Sequence, residues 1–283
     1  MKIALNLESF YGLHQRGKLN PVDVVQLASR VGAQGVELSD RLIEQCDESE
    51  LLASIEDCGQ HVPSCYLFSE LLTPDAGHRQ GQIDGIRSRF DRVRRLGAPR
   101  AVVIPGALPM GVDPDQARGW IVEALRQCAP AASEHGLQLA IENVGFQADV
   151  YARAADLLEI CTSVAEMKLV FDAGNFLLVG EDAIDALDLL APHTVHVHVK
   201  DWKPIEAAAP RVEVELTGTD GVRYCPAVLG DGVVNLAGVI RCLKQRKFDG
   251  FLSVEYEGVD DPFDAMRKGV EYLTALIEQP AEA

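Results

Sequence analysis

Short apolar runs rich in Val, Ile and Leu alternate along this chain with longer stretches in which apolar residues recur at helical spacing. Such alternation is typical of parallel strands joined by crossover helices. The apolar runs predict strands at residues 3–7, 35–38, 61–67, 100–104, 137–142, 168–172, 194–199 and 250–255. The stretches of helical period predict helices at residues 21–31, 48–58, 79–96, 114–135, 150–163, 181–190, 235–246 and 262–277. Because each predicted strand is followed by a predicted helix, we expect a closed (β/α)8 barrel, the TIM barrel fold.

Local capping signals support the predicted helix boundaries. Asn20 precedes Pro21 and Asp113 precedes Pro114, so each helix has a capping side chain ahead of a proline at its first position. A glycine also stands between a helical stretch and the next strand at Gly32, Gly59, Gly97, Gly136 and Gly250. We expect these glycines to form left-handed caps at the carboxyl ends of the helices.

The length of 283 residues suits one barrel domain, since closed α/β barrels run to about 250 residues. We therefore assign residues 1–283 to a single domain. The segment 203–231 follows the seventh predicted strand without helical period, so it predicts an insertion between that strand and its helix. Within it, the alternating run RVEVEL at 211–216 predicts a hairpin strand. Loops on this face of a barrel commonly determine substrate specificity.

The charge balance and the cysteine usage narrow the class of function. The chain carries 26 basic and 43 acidic residues, a net charge of −17, which disfavours nucleic acid and anionic membranes as partners. Its 7 cysteines are dispersed without a CxxC pair, which suits a reducing compartment. The amino-terminal residues lack the apolar stretch of a signal peptide, and no later run approaches the roughly 18 apolar residues of a membrane span. We therefore expect a cytoplasmic protein.

Four of the predicted strands end on side chains that can bind a metal ion: Glu142, Asp172, His198 and Glu255. In each of these strands, period-two alternation points the neighbouring Val, Leu, Ile or Phe side chains outward and these four toward the barrel axis. Carboxylates that converge on one end of a barrel repel one another unless a cation lies between them. Three carboxylates and one imidazole favour one divalent ion, with Mn²⁺, Co²⁺ or Mg²⁺ ahead of Zn²⁺.

The motifs that contain these residues resemble those of the xylose isomerase-like barrels, which include sugar and sugar-phosphate isomerases and epimerases, inosose dehydratases and endonuclease IV. The resemblance covers nearly the whole chain, through GVEL at 35–38, IENVG at 141–145, FDAGNF at 171–176, HVHVKDW at 196–202, LGDG at 229–232 and FLSVEYEG at 251–258. It implies that the same four residues bind the metal ion, and that Glu142 and Glu255 also accept and donate a proton. It further implies a small-molecule sugar substrate and a homo-oligomer, either dimeric or tetrameric.

Four further side chains are candidates for substrate contacts: Lys200, Asn175, Glu37 and Asn6. Lys200 follows His198 on the inward face, where it can hold a substrate oxygen or phosphate. Its alternative role is an ion pair in a loop, with Asp201 as the partner. Asn175 stands where several epimerases of the family carry a substrate-contacting His, so the chain departs from the ketohexose epimerase pattern.

The other polar residues near these strand ends can either contact the substrate or support the surrounding structure. Glu37 at the second strand, and Asn6 or Glu8 at the first, can bind substrate hydroxyls, or they can cap and hydrogen-bond the loops that follow their strands. His196 lies one layer below His198 on the inward face. We expect His196 to be a buried residue that supports a metal ligand, and we assign Asp201 to the same supporting layer.

These residues predict an isomerase or epimerase of a ketose or related sugar, in which a divalent metal ion stabilises the enediolate formed by proton removal. If a β-leaving group departs instead, the same site is a lyase, such as a dehydratase of a keto-sugar or keto-inositol or a deglycosylating enzyme. Two less favoured alternatives are an endonuclease IV-like nuclease and a non-catalytic barrel subunit. The endonuclease relatives have three-metal sites that contain many histidines, whereas this chain has only 7 histidines in all. Its acidic character also disfavours a nucleic-acid substrate.

Overall fold

A closed barrel of parallel strands forms the body of the protein in the computed structural model, which describes residues 1–44, 46–147 and 149–280. The strands of the described part are β1 (Lys2–Asn6), β2 (Gly35–Ser39), β3 (Cys65–Phe68), β4 (Arg100–Ile104), β5 (Gln138–Glu142), β6 (Lys168–Asp172), β7 (Thr194–Val199), β8 (Asp201–Ile205), β9 (Leu216–Thr217), β10 (Arg223–Ala227) and β11 (Phe251–Val254). Strands β1 to β7 and β11 form the barrel, which β11 closes by pairing with both β7 and β1. The predicted (β/α)8 barrel is confirmed.

Helices connect the barrel strands on the outside. They are α1 (Tyr11–Gln15), α2 (Pro21–Val31), α3 (Glu48–Asp57), α4 (Ala76–Arg95), α5 (Pro114–Glu134), α6 (Ala154–Ser163), α7 (Asn175–Leu178), α8 (Ala183–Leu190), α9 (Leu236–Gln245) and α10 (Pro262–Glu278). Each predicted helix is present. The short helices α1 and α7 lie in loops that follow β1 and β6, where the sequence predicted no helix.

The capping predictions are confirmed with one exception. Asn20 accepts a hydrogen bond from Val22 N–H at 3.1 Å, and Asp113 accepts one from Gln116 N–H at 2.9 Å. Most of the predicted cap glycines have positive φ, but Gly250 does not. The left-handed residue after α9 is Lys247 (φ 56°), so the chain has already turned before it reaches Gly250.

The alternation of the strands separates two apolar layers. Outward side chains pack against the helices in one large buried cluster, whereas a small inner cluster fills the barrel with Tyr66, Val102, Ile104, Ala140 and Val170. This inner cluster lies on the inward face predicted for Glu142 and Asp172. The polar ends of β5, β6, β7 and β11 therefore share one mouth of the barrel, at the carboxyl ends of the strands.

The segment 203–231 belongs to a second, antiparallel sheet in which β10 pairs with both β8 and β9. The strand predicted at 211–216 is wrong, because only its last residue, Leu216, lies in a strand. Glu215 accepts hydrogen bonds from Val212 N–H (3.1 Å) and from Arg223 (3.2 Å), and these contacts bend the run into a turn.

No helix in the described parts of the chain combines the length and the apolar character that crossing a membrane requires.

Candidate metal centre

The four predicted metal ligands meet at the mouth of the barrel. Glu142 ends β5, Asp172 ends β6, His198 lies in β7 and Glu255 directly follows β11. Each residue offers one ligand atom, and these four atoms all lie within 4.8 Å of one another. All four side chains are buried. The structure therefore brings together the set that strand alternation predicted.

The imidazole of His198 has one nitrogen directed at the carboxylates of this set. Its Nδ1 lies 2.7 Å from Glu255 Oε2 and 3.1 Å from Glu142 Oε1. Its Nε2 faces the barrel interior, 2.6 Å from Glu37 Oε2 and 3.0 Å from the hydroxyl of Tyr66. The ring thus connects the candidate ligands to the layer beneath them.

Backbone and amide donors fix the carboxylate of Asp172. Its Oδ1 accepts from the N–H groups of Gly174 (2.7 Å) and Asn175 (3.0 Å), and its Oδ2 accepts from Asn175 Nδ2 at 2.9 Å. Asn175 Nδ2 also donates to the Asn143 carbonyl, and the Asn143 amide pairs with the Asp172 backbone. Because its amide group donates to Asp172 and to the Asn143 carbonyl, Asn175 orients Asp172, and its substrate contact stays a prediction.

Lys200 is buried among acidic side chains of the site. Its ammonium nitrogen lies 2.8 Å from Glu255 Oε1, 2.9 Å from Glu257 Oε2 and 3.6 Å from Asp172 Oδ2. The alternative role of Lys200 as an ion-paired residue is therefore confirmed, but Asp201 as its partner is wrong. The carboxylate of Asp201 points away from Lys200 into the loop after β10, which gives it other partners.

Asp201 anchors the loop that contains the LGDG motif. One carboxylate oxygen accepts from the N–H groups of Gly230 and Gly232, both at 3.0 Å, and the other accepts from Val234 (3.1 Å) and Trp202 (2.9 Å). A side chain at Gly232 would collide with this carboxylate. Asp201 thus stabilises the loop beside the mouth of the barrel and is not itself one of the candidate ligands.

The remaining predicted site residues lie around and below His198. Glu37 and His196 are completely buried, and Glu37 Oε1 lies 3.2 Å from His196 Nε2. Asn6 accepts a hydrogen bond from Glu8 N–H at 2.9 Å and so caps the 3-10 turn that follows β1. These contacts favour the supporting role over the substrate contact for Glu37 and the capping role for Asn6.

Protein groups give the three carboxylates unequal affinities for a proton. Burial raises the pKa of Glu142 and raises the pKa of Asp172 to about 7. Burial acts on Glu255 too, but the charges of Lys200 and His198 outweigh it and lower the pKa of Glu255 to about 2. Carboxylates whose environments move their pKa values apart are suited to act as an acid and a base.

The donor set fits a divalent cation. Glu255 Oε2 is buried and receives no well-directed hydrogen bond from any residue that the structure describes, although it contacts His198 Nδ1. A buried carboxylate oxygen without a donor is costly unless a cation meets it. Three carboxylates and one imidazole are side chains that divalent ions commonly bind in proteins.

A family model for the xylose isomerase-like TIM barrel matches residues 25–276. The chain belongs to this family. The match confirms the resemblance that the motifs indicated, and it includes the ends of β5, β6, β7 and β11, which carry the four candidate ligands.

Among curated proteins, the chain is similar to inosose dehydratases. It is 26% identical over 168 residues to the enzyme of Lacticaseibacillus casei, a match that covers 58% of this chain and 56% of that enzyme. It is 24% identical over 256 residues to the enzyme of Geobacillus kaustophilus (strain HTA426), covering 84% of this chain and 81% of that enzyme. The chain thus spans little more than half the length of the first relative and most of the second.

Two solved structures show the same fold over nearly their whole lengths. The IOLI protein with a bound zinc atom has a TM-score of 0.76 at 16% identity, covering 98% of each chain. D-psicose 3-epimerase, solved in the presence of D-fructose, has a TM-score of 0.77 at 15% identity, covering 99% of this chain and 100% of that chain. At these identities the likeness establishes the fold alone.

The sequence did not identify several residues that the structure places at the mouth or directly below it. Tyr66 lies on the inward face of β3, which the alternation of that strand could have indicated, and Glu257 lies two residues beyond Glu255. Arg41 is also such a residue, and it forms a forked ion pair with Glu8, with Arg41 Nε 3.1 Å from Glu8 Oε1. No local pattern predicts that pair, because its members come from different βα loops.

Proposed function

We propose that this protein is a metal-dependent enzyme that transfers a proton at the carbon next to the carbonyl of a ketose or related keto-polyol. One observation carries the proposal. Glu142 and Glu255 approach the same nitrogen of His198, at 3.1 and 2.7 Å, while their environments move their pKa values in opposite directions. Such a pair can remove a proton with one carboxylate and supply one with the other.

Glu255 suits the role of the base, since Lys200 at 2.8 Å keeps it ionised. Glu142, whose pKa burial raises, suits the role of the proton donor. A divalent ion held by Glu142, Asp172, His198 and Glu255 would polarise the substrate carbonyl and offset the charge that develops on its oxygen. Asn175 and the backbone N–H of Gly174 hold Asp172 in place for that ion.

Two outcomes follow from the same proton removal. Return of the proton to the opposite face or to the neighbouring carbon gives an epimer or an isomer, which is our first candidate. Loss of a β-hydroxyl group gives a dehydratase, which is the second candidate. The similarity to inosose dehydratases and the presence of Asn175 in place of an epimerase-type histidine favour this second outcome.

Solvent exchange tests the common step before any product is known. Metal-loaded protein is incubated in D₂O with D-fructose, its 3-epimer and an inosose, and each substrate is followed by NMR. We expect deuterium uptake beside the carbonyl of at least one substrate, with an isomeric ketose or aldose as the product of the first candidate. An enone-like absorbance with loss of water would identify the second.

Matched Glu→Gln variants connect the exchange to the site. Glu255→Gln should abolish it, whereas Glu271→Gln, on the exposed face of α10, should leave it unchanged. Exchange that persists in Glu255→Gln, or its absence with every keto-substrate despite bound metal, would contradict the proposal.

A further inference from the structure

A completely buried polar cluster lies below the candidate metal ligands. It consists of Glu37, Ser64, His196, His198 and Ser253, and each of these residues is 0% exposed. Glu37 Oε2 lies 2.6 Å from His198 Nε2, and Glu37 Oε1 lies 3.2 Å from His196 Nε2 and accepts a hydrogen bond from Ser64. The Glu37 carboxylate thus occupies the centre of the cluster.

A carboxylate in this place needs a reason, because it is completely buried and adjoins an apolar layer inside the barrel. The inner cluster of Tyr66, Val102, Ala140 and Val170 offers few polar groups, and a buried charge is costly without donors. Both oxygens of Glu37 have donors, and Oε2 has His198 as its donor, whereas Oε1 is shared between Ser64 and His196. Of the two contacts to histidine, the one to His198 is the shorter, at 2.6 Å against 3.2 Å. The carboxylate therefore acts mainly on the ring that reaches up to the candidate metal site.

The contact between Glu37 and His198 fixes which ring nitrogen is available above. When Nε2–H donates to Glu37, Nδ1 carries the free electron pair, and Nδ1 is the nitrogen that faces Glu142 and Glu255. Metal-binding histidines commonly donate their other N–H group to a carboxylate, which sets the tautomer and the ring orientation. We propose that Glu37 is a positioning residue that holds His198 in the orientation and tautomer required for metal binding.

Another role for the same residues is a second metal site, since Glu37, His196 and His198 also offer ligand atoms within 4.8 Å of one another. The hydrogen bonds argue against it. Ser64 already donates to the Glu37 carboxylate, and His196 Nε2 lies 3.1 Å from the hydroxyl of Ser253. The two interpretations differ in the number of ions bound per chain.

Metal binding, measured without substrate, tests this inference, which rests on the proposed metal-dependent function. Chelator-treated wild type and Glu37→Gln are titrated with Mn²⁺, and free Mn²⁺ is followed by electron paramagnetic resonance. We expect one Mn²⁺ per wild-type chain and a Kd about 10–100-fold higher in Glu37→Gln. Visible spectra of the Co²⁺-loaded proteins should also differ, since the ring loses its fixed orientation. Glu48→Gln, a glutamate of α3 that pairs with Arg92 and Arg95 on the outside of the barrel, is the matched control and should keep the wild-type Kd.

The outcomes separate this inference from the proposed function. Wild type that binds no Mn²⁺ contradicts both. Wild type that binds one Mn²⁺ with the same Kd and Co²⁺ spectrum as Glu37→Gln overturns the positioning role alone. Two ions in wild type and one in Glu37→Gln would make Glu37 a ligand of a second site. If Glu37→Gln does not fold, Ser64→Ala, which keeps the carboxylate but removes a donor to it, should still raise the Kd, and an unchanged Kd overturns the inference.

Discussion

Lys200→Met removes a buried positive charge from between acidic side chains. The Lys200 ammonium lies 2.8 Å from Glu255 and 3.6 Å from Asp172, both of which are buried, and 2.9 Å from the partly exposed Glu257. Methionine keeps much of the apolar stem, so the substitution tests the charge and its hydrogen bonds more than the packing. Glu255 and Asp172 would then lie close together without the ammonium group that both carboxylates approach.

The structure sets the size of the expected effect. Removal of one partner from a buried ion pair costs about 3–5 kcal/mol, because the other charge stays buried and unpaired. In a chain of this length, 1 kcal/mol corresponds to roughly 2 °C in melting temperature. We therefore expect the metal-free Lys200→Met variant to melt about 6–10 °C below wild type. The pair with Glu257 adds little, because solvent screens that carboxylate.

Calorimetry with and without Mn²⁺ measures this effect. We expect Mn²⁺ to reduce the difference between Lys200→Met and wild type, since a cation bound by Glu255 and Asp172 replaces part of the lost charge. Lys268→Met removes an exposed lysine paired with Asp264 on α10, and this variant should have the same melting temperature as wild type. If Lys200→Met also had the melting temperature of wild type with and without Mn²⁺, the ammonium group of Lys200 would not stabilise the carboxylates around it.

Two further predictions concern the same mouth of the barrel. Mn²⁺ affinity should rise as the pH increases from 6 to 8, because Asp172, whose pKa burial raises to about 7, has to lose its proton before it binds a cation. Titration calorimetry in two buffers measures the released protons, and an affinity independent of pH would contradict the assignment. Asp201→Asn should lower the free energy of unfolding, measured in urea, by about 1.5–3 kcal/mol, since a charged acceptor of several N–H groups is replaced. An unchanged free energy of unfolding would show that the LGDG loop does not depend on this carboxylate.

The barrel and the four candidate ligands could be predicted because both depend on local periodicity. Alternation within β5 alone is sufficient to point Glu142 inward, and closure of the barrel then brings it to His198. Proline and asparagine at 20–21 predicted the start of α2 for the same reason, since a cap involves neighbours in sequence. Such patterns are visible in one chain without knowledge of its contacts.

The supporting contacts could not be predicted because they join residues far apart in the chain. Glu37 meets His198 across 161 positions, and neither strand shows which partner its polar residue will have. The wrong partner for Lys200 has the same origin, because Asp201 is its neighbour in sequence but its carboxylate points away from Lys200. The cytoplasmic location, the homo-oligomeric state and the lack of nucleic-acid partners stay predictions.

Metal content tests the central claim most directly. Wild type, Asp172→Ala and His198→Ala are purified, incubated with Mn²⁺, Co²⁺, Mg²⁺ or Zn²⁺, desalted and analysed by mass spectrometry of the elements. We expect about one equivalent of a divalent ion in wild type and a large loss in both variants, because each loses a ligand of the same site. Wild type that retains none of the four ions, or variants that retain as much as wild type, would show that these side chains do not form a metal centre.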